Sequence, residues 1–213
     1  MERPPAGRLH RSHRGFDVSK RAVDVIGSAL GLVLTAPVMA VIALFIRHEM
    51  GSPVIFSQDR PGWNGKPFRL RKFRTMHTPN ESQGLLVDED RLTRLGRWLR
   101  ATSLDELPTL WNVLRGEMSL VGPRPLLIEY LNRYTPRQAR RHEVRPGVTG
   151  LAQISGRNAL DWDDKLGLDV DYVDRRCWAL DLAILWRTVA VVWKREGIQR
   201  PGYATMPKFQ GTK

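Results

Sequence analysis

The longest hydrophobic pattern in the chain is an apolar stretch near the N-terminus, from Val25 to Ile46, which contains no charged residue. At roughly 1.5 Å per residue, a helix of this length would be about 33 Å long, which is enough to cross a bilayer. A cleaved signal peptide is disfavoured, because the stretch is long and has no small-x-small cleavage site before the next charges. The pattern therefore predicts a helix that stays in the membrane.

Pro37 lies near the middle of this stretch and predicts a bend, because proline lacks an N–H group and clashes with the preceding helical turn. Basic residues flank the stretch on both sides, with Arg21 before it and Arg47 after it. A simple span would place one basic flank outside the cell, against the positive-inside tendency. A re-entrant helix that returns to the same face is therefore favoured over a kinked span, with the Ser28 or Thr35 hydroxyls or lipid headgroups as partners for the freed carbonyls.

Alternating polar and apolar residues predict two strands after the membrane helix, 53–58 and 67–75, joined by an Asn-Gly turn. One face of the second strand is basic, and Lys72 and Arg74 extend the basic set. A solvated sheet face is the ordinary outcome of such a pattern. Contact with a phosphate is favoured here for Lys72, and less strongly for Arg74, because a carboxylate pair and Arg124, described below, are suited to phosphate chemistry.

Helical spacing of apolar residues predicts amphipathic helices at 91–100 and 178–193. The first has a stripe of arginines that repel one another unless an anionic surface lies against them, and the second has three tryptophans beside a basic end. Both patterns suit a membrane interface, with a solvated face or a core helix as the alternatives. The predicted fold class is α/β, mainly α with a small β-hairpin.

The chain has 213 residues and a formal net charge of +12, which indicates an anionic partner such as nucleic acid, a membrane surface or a phosphorylated substrate. The single cysteine, Cys177, cannot form an intramolecular disulfide, so the part of the chain outside the membrane gives no sign of an oxidising compartment and is expected to face the cytoplasm. The predicted divisions are a basic arm (1–21), a re-entrant membrane helix (22–50), a cytoplasmic catalytic domain (51–200) and a C-terminal tail (201–213).

Candidate chemistry centres on two adjacent carboxylates, Asp105 and Glu106, and on Arg124, which lies between two prolines. A carboxylate pair can bind a divalent metal, attack phosphorus or move a proton, and a guanidinium on a stiff backbone suits a phosphate. The structural alternative is a helix capping box formed by Ser103 and Glu106. Pro108 disfavours a helix that starts at Ser103, so a start near Leu107 is predicted.

The sequence excludes several other kinds of site. It contains neither a Gly-x-x-x-x-Gly-Lys-Ser/Thr loop nor a Gly-x-Gly-x-x-Gly loop, its histidines do not cluster as zinc ligands, and no Ser/His/Asp pattern is evident. Mg²⁺ bound by carboxylates is the metal that remains. Two non-catalytic alternatives stay open at this point: a membrane-tethered nucleic-acid module and a membrane scaffold.

Four motifs in one order carry a family resemblance: Lys72-Phe-Arg-Thr-Met76, Thr102-Ser-Leu-Asp-Glu-Leu-Pro108, Ser119-Leu-Val-Gly-Pro-Arg-Pro125 and Arg145-Pro-Gly-Val-Thr-Gly150. With the proline-broken membrane helix, they make the chain resemble the bacterial sugar transferase family, the monotopic phosphoglycosyl transferases, from about Phe16 to about Gly197. One departure is Ala36, where many members have a serine before the helix-breaking proline.

The resemblance implies transfer of a phosphosugar from a UDP-sugar to a polyprenyl (undecaprenyl) phosphate, with release of UMP, at the cytoplasmic face of the bacterial plasma membrane. It implies that Asp105 is the nucleophile, that Glu106 assists as Mg²⁺ ligand or base, and that Lys72 and Arg124 neutralise phosphate oxygens. The recurrent family positions with less defined roles are Arg100, Arg145 and Asp169. Membrane lipids are expected partners and nucleic acid is not, while the sugar, the prenol length and homodimer formation stay open.

Overall fold

The computed structural model describes residues 13–79, 87–156, 160–194 and 208–211. It is mainly helical, with two small two-stranded sheets, which agrees with the predicted fold class. Residues 1–12 of the predicted arm, residues 80–86 and most of the predicted tail lie outside the described residues.

Helix α1 runs from Arg14 to Met50 as one α-helix that contains Pro37. Residues 14–21 of the predicted basic arm are therefore helical. The segment from Gly15 to Met50, whose apolar 18-residue window has a mean hydropathy of 2.6, is the one helix among the described residues that is long and apolar enough to cross a membrane. Its predicted hydroxyl partners bond elsewhere in the helix: Ser28 donates to the Val25 carbonyl and Thr35 to the Gly31 carbonyl, rather than to the Val33 carbonyl that Pro37 leaves free.

Strands β1 (Ile55–Pro61) and β2 (Pro67–Phe73) form the predicted antiparallel hairpin. They are joined by a 3₁₀ turn over Trp63–Gly65, in which Asn64 has a positive φ of 54°. Asparagine adopts this left-handed conformation at lower cost than most residues, so the Asn-Gly pair fits the turn. The hairpin places Lys72 near the end of β2, beside the segment that carries the two carboxylates.

The next elements are α2 (Asp88–Arg91), α3 (Arg94–Thr102), a 3₁₀ turn (Leu104–Glu106) and α4 (Thr109–Arg115). The arginines predicted as one lipid-facing stripe separate into two groups. Arg94 and Arg97 are exposed, whereas Arg91 donates to the His77 carbonyl and pairs with Asp88. Arg100 donates to Thr75. The mutual repulsion predicted for this stripe is therefore reduced, because Arg91 and Arg100 have partners within the protein.

A second sheet, which the sequence analysis did not predict, pairs β3 (Ser119–Val121) with β4 (Gly147–Thr149) in parallel. The strands approach so closely at Gly147 that an added Cβ would lie 2.1 Å from the Gly122 backbone nitrogen. Only glycine fits there without backbone movement. This contact holds the Gly122-Pro-Arg-Pro125 segment against the rest of the domain.

The remaining helices are α5 (Pro136–Ala139), α6 (Leu151–Ile154), α7 (Trp162–Arg175) and α8 (Trp178–Lys194), with 3₁₀ turns at Ile128–Arg133 and Arg140–Glu143. The helix predicted at 178–193, which bears three tryptophans, is α8. Ile184 of α8 is fully buried, whereas Trp186 and Trp193 are 80% and 87% exposed. Helix α8 therefore presents an apolar face that no described residue covers.

Both ends of α1 pack onto the same domain. Near its start, Lys20 forms an ion pair with Asp181, and Arg21 donates to the backbone carbonyls of Val113 and Leu114. Near its end, Ile42 and Ile46 are buried in a cluster with Phe73 and Leu99. The outward side stays apolar and uncovered, with Val33, Leu34 and Leu44 between 68% and 76% exposed.

Candidate active site

Asp105 and Glu106 lie in a tight connection between two helices. Helix α3 ends at Thr102. The next residue, Ser103, caps the helix in a left-handed conformation with φ 58°, and the 3₁₀ turn Leu104–Glu106 follows directly. The Ser103 side chain makes no capping hydrogen bond, so the capping-box alternative is wrong. Helix α4 starts at Thr109 after Pro108, slightly later than predicted, and both carboxylates precede it.

Glu106 is held by two cations. Lys72 Nζ and Arg124 Nη2 donate to the same oxygen, Glu106 Oε1, over 2.5 Å and 2.7 Å. Arg124 and Lys72 hold the pKa of Glu106 well below its usual range against the opposing effect of burial, and Glu106 in turn raises the pKa of Arg124. Burial lowers the pKa of Lys72 despite this pairing. Glu106 therefore strongly favours its charged form, and its carboxylate fixes the two cations.

Asp105 differs from Glu106 both in its contacts and in the direction of its pKa shift. It is 8% exposed and makes no hydrogen bond within the part of the chain that the structure describes. Burial, and next to it the charge of Glu106, raise the pKa of Asp105 to about 6, while Lys72, Arg124 and Arg100 oppose the rise. Two adjacent carboxylates with pKa values displaced in opposite directions are suited to different chemical tasks. Asp105 is the one whose oxygens are free to react.

A cavity of about 80 Å³ opens beside these groups. Its polar lining consists of Arg60, Lys72, Glu106, Thr109 and Arg124. Three of these five side chains are cations and one is an anion, so the cavity has a surplus of positive charge. An anionic group is the natural occupant.

The other predicted site residues have different surroundings. Arg100 donates to Thr75 Oγ1 over 3.1 Å and acts on Asp105 through its charge. Arg145 donates to the Gly116 carbonyl over 2.9 Å and lies over the Trp63 ring at 4.9 Å.

Arg74 and Asp169 face the protein interior. Arg74 donates to backbone carbonyls between the end of α1 and the hairpin, namely Met50, Ser52, Pro53 and Met76. Asp169 is 2% exposed and forms an ion pair with Arg141. The structure thus brings Lys72, Asp105, Glu106 and Arg124 together. Lys72, Glu106 and Arg124 line the cavity, whereas the lining includes none of the other predicted site residues, namely Asp105, Arg74, Arg100, Arg145 and Asp169.

Two residues of this region were missed by sequence reasoning. Arg60, on β1, lines the cavity. Arg141 is 2% exposed, pairs with Asp169 and donates through Nη2 to the Arg124 backbone carbonyl over 2.5 Å. Arg60 carried a weak signal, because it is one of several basic residues that follow the apolar N-terminal stretch, but nothing in the local sequence distinguishes Arg141 from the arginines around it.

Asp105 and Glu106 are also the predicted ligands of Mg²⁺. Within the described residues there is no cluster of three or more His, Cys, Asp or Glu side chains that could hold a metal ion. Mg²⁺ is commonly bound by one or two carboxylates together with substrate phosphates and water, so a full protein cage is not required. Asp105 has free oxygens, and Glu106 Oε2 makes no hydrogen bond with any described residue, so the pair fits this binding mode.

Comparison with known proteins gives a consistent result. The family model described as bacterial sugar transferase matches residues 16–195. An uncharacterised sugar transferase of Bacillus subtilis, EpsL, is 52% identical over 196 residues, which cover 92% of this chain and 97% of that protein.

Two relatives with named activities are also similar. A UDP-glucose:undecaprenyl-phosphate glucose-1-phosphate transferase of Caulobacter vibrioides is 44% identical over 87% of this chain and 73% of its own length. An undecaprenyl-phosphate galactose phosphotransferase of Salmonella typhimurium is 38% identical over 84% of this chain but 41% of its own length. The predicted family and the predicted enzyme class, sugar-phosphate transfer, are confirmed. The chain, with its free aspartate beside a glutamate held by two cations, belongs to the bacterial sugar transferase family.

Proposed function

We propose that this enzyme transfers a phosphosugar from a UDP-sugar to a polyprenyl phosphate and releases UMP. The named relatives support this substrate pair, since their names include undecaprenyl phosphate and, for the Caulobacter protein, UDP-glucose. The observation that carries the proposal is the buried Asp105, whose side chain has no hydrogen-bond partner among the described residues and feels the charges of Lys72 and Arg124, while the adjacent Glu106 lines the cationic cavity. A surface scaffold has no need for such a carboxylate, whose burial costs stability unless it is used.

The reaction has two steps, in which the two substrates use the site in turn. First, an Asp105 carboxylate oxygen attacks the sugar-linked phosphorus of the donor. The bond from that phosphorus to the bridging oxygen breaks, and UMP leaves with the electron pair. An oxygen of the polyprenyl phosphate then attacks the same phosphorus, which restores the Asp105 carboxylate and gives a polyprenyl diphosphosugar.

The cations beside Asp105 neutralise the negative charge of the donor phosphates. Lys72 and Arg124 already lie on one carboxylate oxygen, so they are fixed before a phosphate arrives and need little reorganisation to bind one. Mg²⁺ held by Asp105 and Glu106 would neutralise the diphosphate further and stabilise the leaving UMP. Glu106 keeps both cations in position throughout.

The function is tested by the release of UMP from a panel of UDP-sugars in detergent, with polyprenyl phosphate as acceptor. We expect release from at least one UDP-sugar, its loss with EDTA and its recovery with Mg²⁺. Salt-sensitive binding to duplex nucleic acid without any UMP release would instead favour a nucleic-acid module.

The enzyme is further proposed to be monotopic, with the catalytic domain in the cytoplasm. The proposal is supported by the contacts at the two ends of α1, where Lys20 pairs with Asp181 and Ile46 is buried against the same domain. A helix that crossed the bilayer would have to separate its ends by about 30 Å of hydrocarbon. The uncovered apolar sides of α1 and α8 would then face lipid.

A topology experiment checks this arrangement. Single cysteines are placed at exposed Ser19 and Asp59 in a Cys177→Ser background, because Cys177 is itself exposed. In inside-out membrane vesicles, a membrane-impermeant maleimide is expected to label both positions to a similar extent. Labelling of only one of them would show that α1 spans the membrane.

The raised pKa of Asp105 predicts a pH dependence. Since the carboxylate is the nucleophile and its pKa is about 6, covalent labelling by a UDP-sugar should accelerate about tenfold from pH 5 to pH 7. Glu106 stays ionised over this range, because its pKa lies well below it. Removal of a cation in Lys72→Met should move the midpoint upward, because Lys72 lowers the pKa of Asp105. A rate independent of pH across this range would contradict the assignment.

A further inference from the structure

Arg60 lines the cavity but has no role in the two proposed reaction steps. It lies on β1 opposite Phe68 of β2, and its side chain lines the same cavity as Lys72, Glu106 and Arg124. Its contacts differ from those of the other two cations.

Arg60 has no acidic partner within the described parts of the chain. Its Nη2 donates to the Gln58 side-chain oxygen over 2.6 Å, and its Nη1 lies at 3.5 Å from the Pro125 carbonyl, which is at the limit of a hydrogen bond. Its Nε is buried and has no partner. Lys72 and Arg124, by contrast, share the Glu106 carboxylate. Arg60 is therefore a guanidinium with an unpaired N–H group, in a cavity that has a surplus of positive charge.

The charge environment of Arg60 is unfavourable as it stands. Burial, and next to it the nearby charge of Arg124, lower the pKa of Arg60 to about 10. A buried cation beside a second cation is stabilised when an anion lies between them. The carboxylate of Glu106 is already engaged by Lys72 and Arg124, so it does not serve this purpose.

We propose that Arg60 binds an oxygen of the donor diphosphate, opposite the oxygens bound by Lys72 and Arg124. The inference rests on the proposed function and adds a substrate-binding residue to that site. A diphosphate carries more than one negative charge, and Glu106 cancels part of the charge of Lys72 and Arg124. A third cation with an unused N–H group supplies the remaining neutralisation, and a guanidinium can present two donors to one phosphate.

The alternative is that Arg60 only braces the hairpin through Gln58 and Pro125. Binding of inorganic pyrophosphate to the purified full chain, measured by titration calorimetry, distinguishes the two accounts without requiring turnover. We expect Arg60→Ala to bind pyrophosphate at least about tenfold more weakly than the wild type, Arg60→Lys to be intermediate, and the KM for the UDP-sugar to rise in parallel. Arg69→Ala is the matched control, since Arg69 is an exposed arginine of the same hairpin; its affinity should be unchanged.

The outcomes separate this inference from the proposed function. Unaltered pyrophosphate affinity in Arg60→Ala overturns the role of Arg60, even if UMP release is observed. Arg60-dependent pyrophosphate binding without UMP release supports the subsite and rejects the reaction. If Arg60→Ala fails to fold, Arg60→Gln, which retains a donor toward Gln58, is measured in its place with the same two criteria.

Discussion

An Asp105→Asn variant incubated with a UDP-sugar labelled in its sugar-linked phosphate is expected to retain no label on the protein. Its UMP release should fall by roughly 10³-fold or more, because an amide cannot form the acyl phosphate on which both steps depend. Asparagine has nearly the same size as aspartate, and Asp105 makes no hydrogen bond with any described residue, so folding should be little affected. Mass spectrometry of the labelled peptide and a thermal melt provide the two measurements.

Two controls make this result interpretable. Asp59→Asn changes an exposed carboxylate on the hairpin and should label like the wild type. Glu106→Gln removes the charge that fixes Lys72 and Arg124, so it should slow labelling, yet still allow label to accumulate on Asp105. Label on the protein in the Asp105→Asn variant would reject Asp105 as the nucleophile.

The parts of the fold that could be predicted are those with a long periodic pattern. Helix α1, the hairpin and α8 each have a hydrophobic pattern several residues long, and the structure places them close to the predicted ranges. The β3–β4 pair could not be predicted in this way, because each strand has only three residues and the two are far apart in sequence. Their pairing is decided by tertiary contacts such as the backbone approach at Gly147.

The same distinction applies to the site. Asp105, Glu106, Lys72 and Arg124 were predicted as a group, and they lie together in the structure. In a chain with 34 basic residues, however, sequence does not show which of them faces a cavity and which is used for folding. Arg74 binds backbone carbonyls, and Asp169 is paired in the interior. These roles depend on the folded neighbours rather than on local spacing.

Replacement of Arg141 by methionine is expected to cause the largest loss of stability among the substitutions considered. Arg141 and Asp169 have side chains that are 1% and 2% exposed, so the substitution leaves a buried carboxylate without its counter-charge. Breaking a buried pair in this way costs about 3–5 kcal/mol of unfolding free energy. Arg140→Met is the matched control, because the ion pairs of Arg140 with Glu143 and Asp174 lie nearer the surface and should contribute about 1 kcal/mol or less.

The double variant Arg141→Met/Asp169→Leu separates stability from activity. Without a buried charge on either side, most of the lost unfolding free energy should return, because apolar residues can replace a buried ion pair at little cost. UMP release should nevertheless stay on the order of tenfold below the wild type, since the Arg124 carbonyl has lost the donor that fixes its loop. Chemical denaturation in detergent and the UMP assay test both parts. Recovery of activity together with stability would show that Arg141 serves folding alone and does not position Arg124.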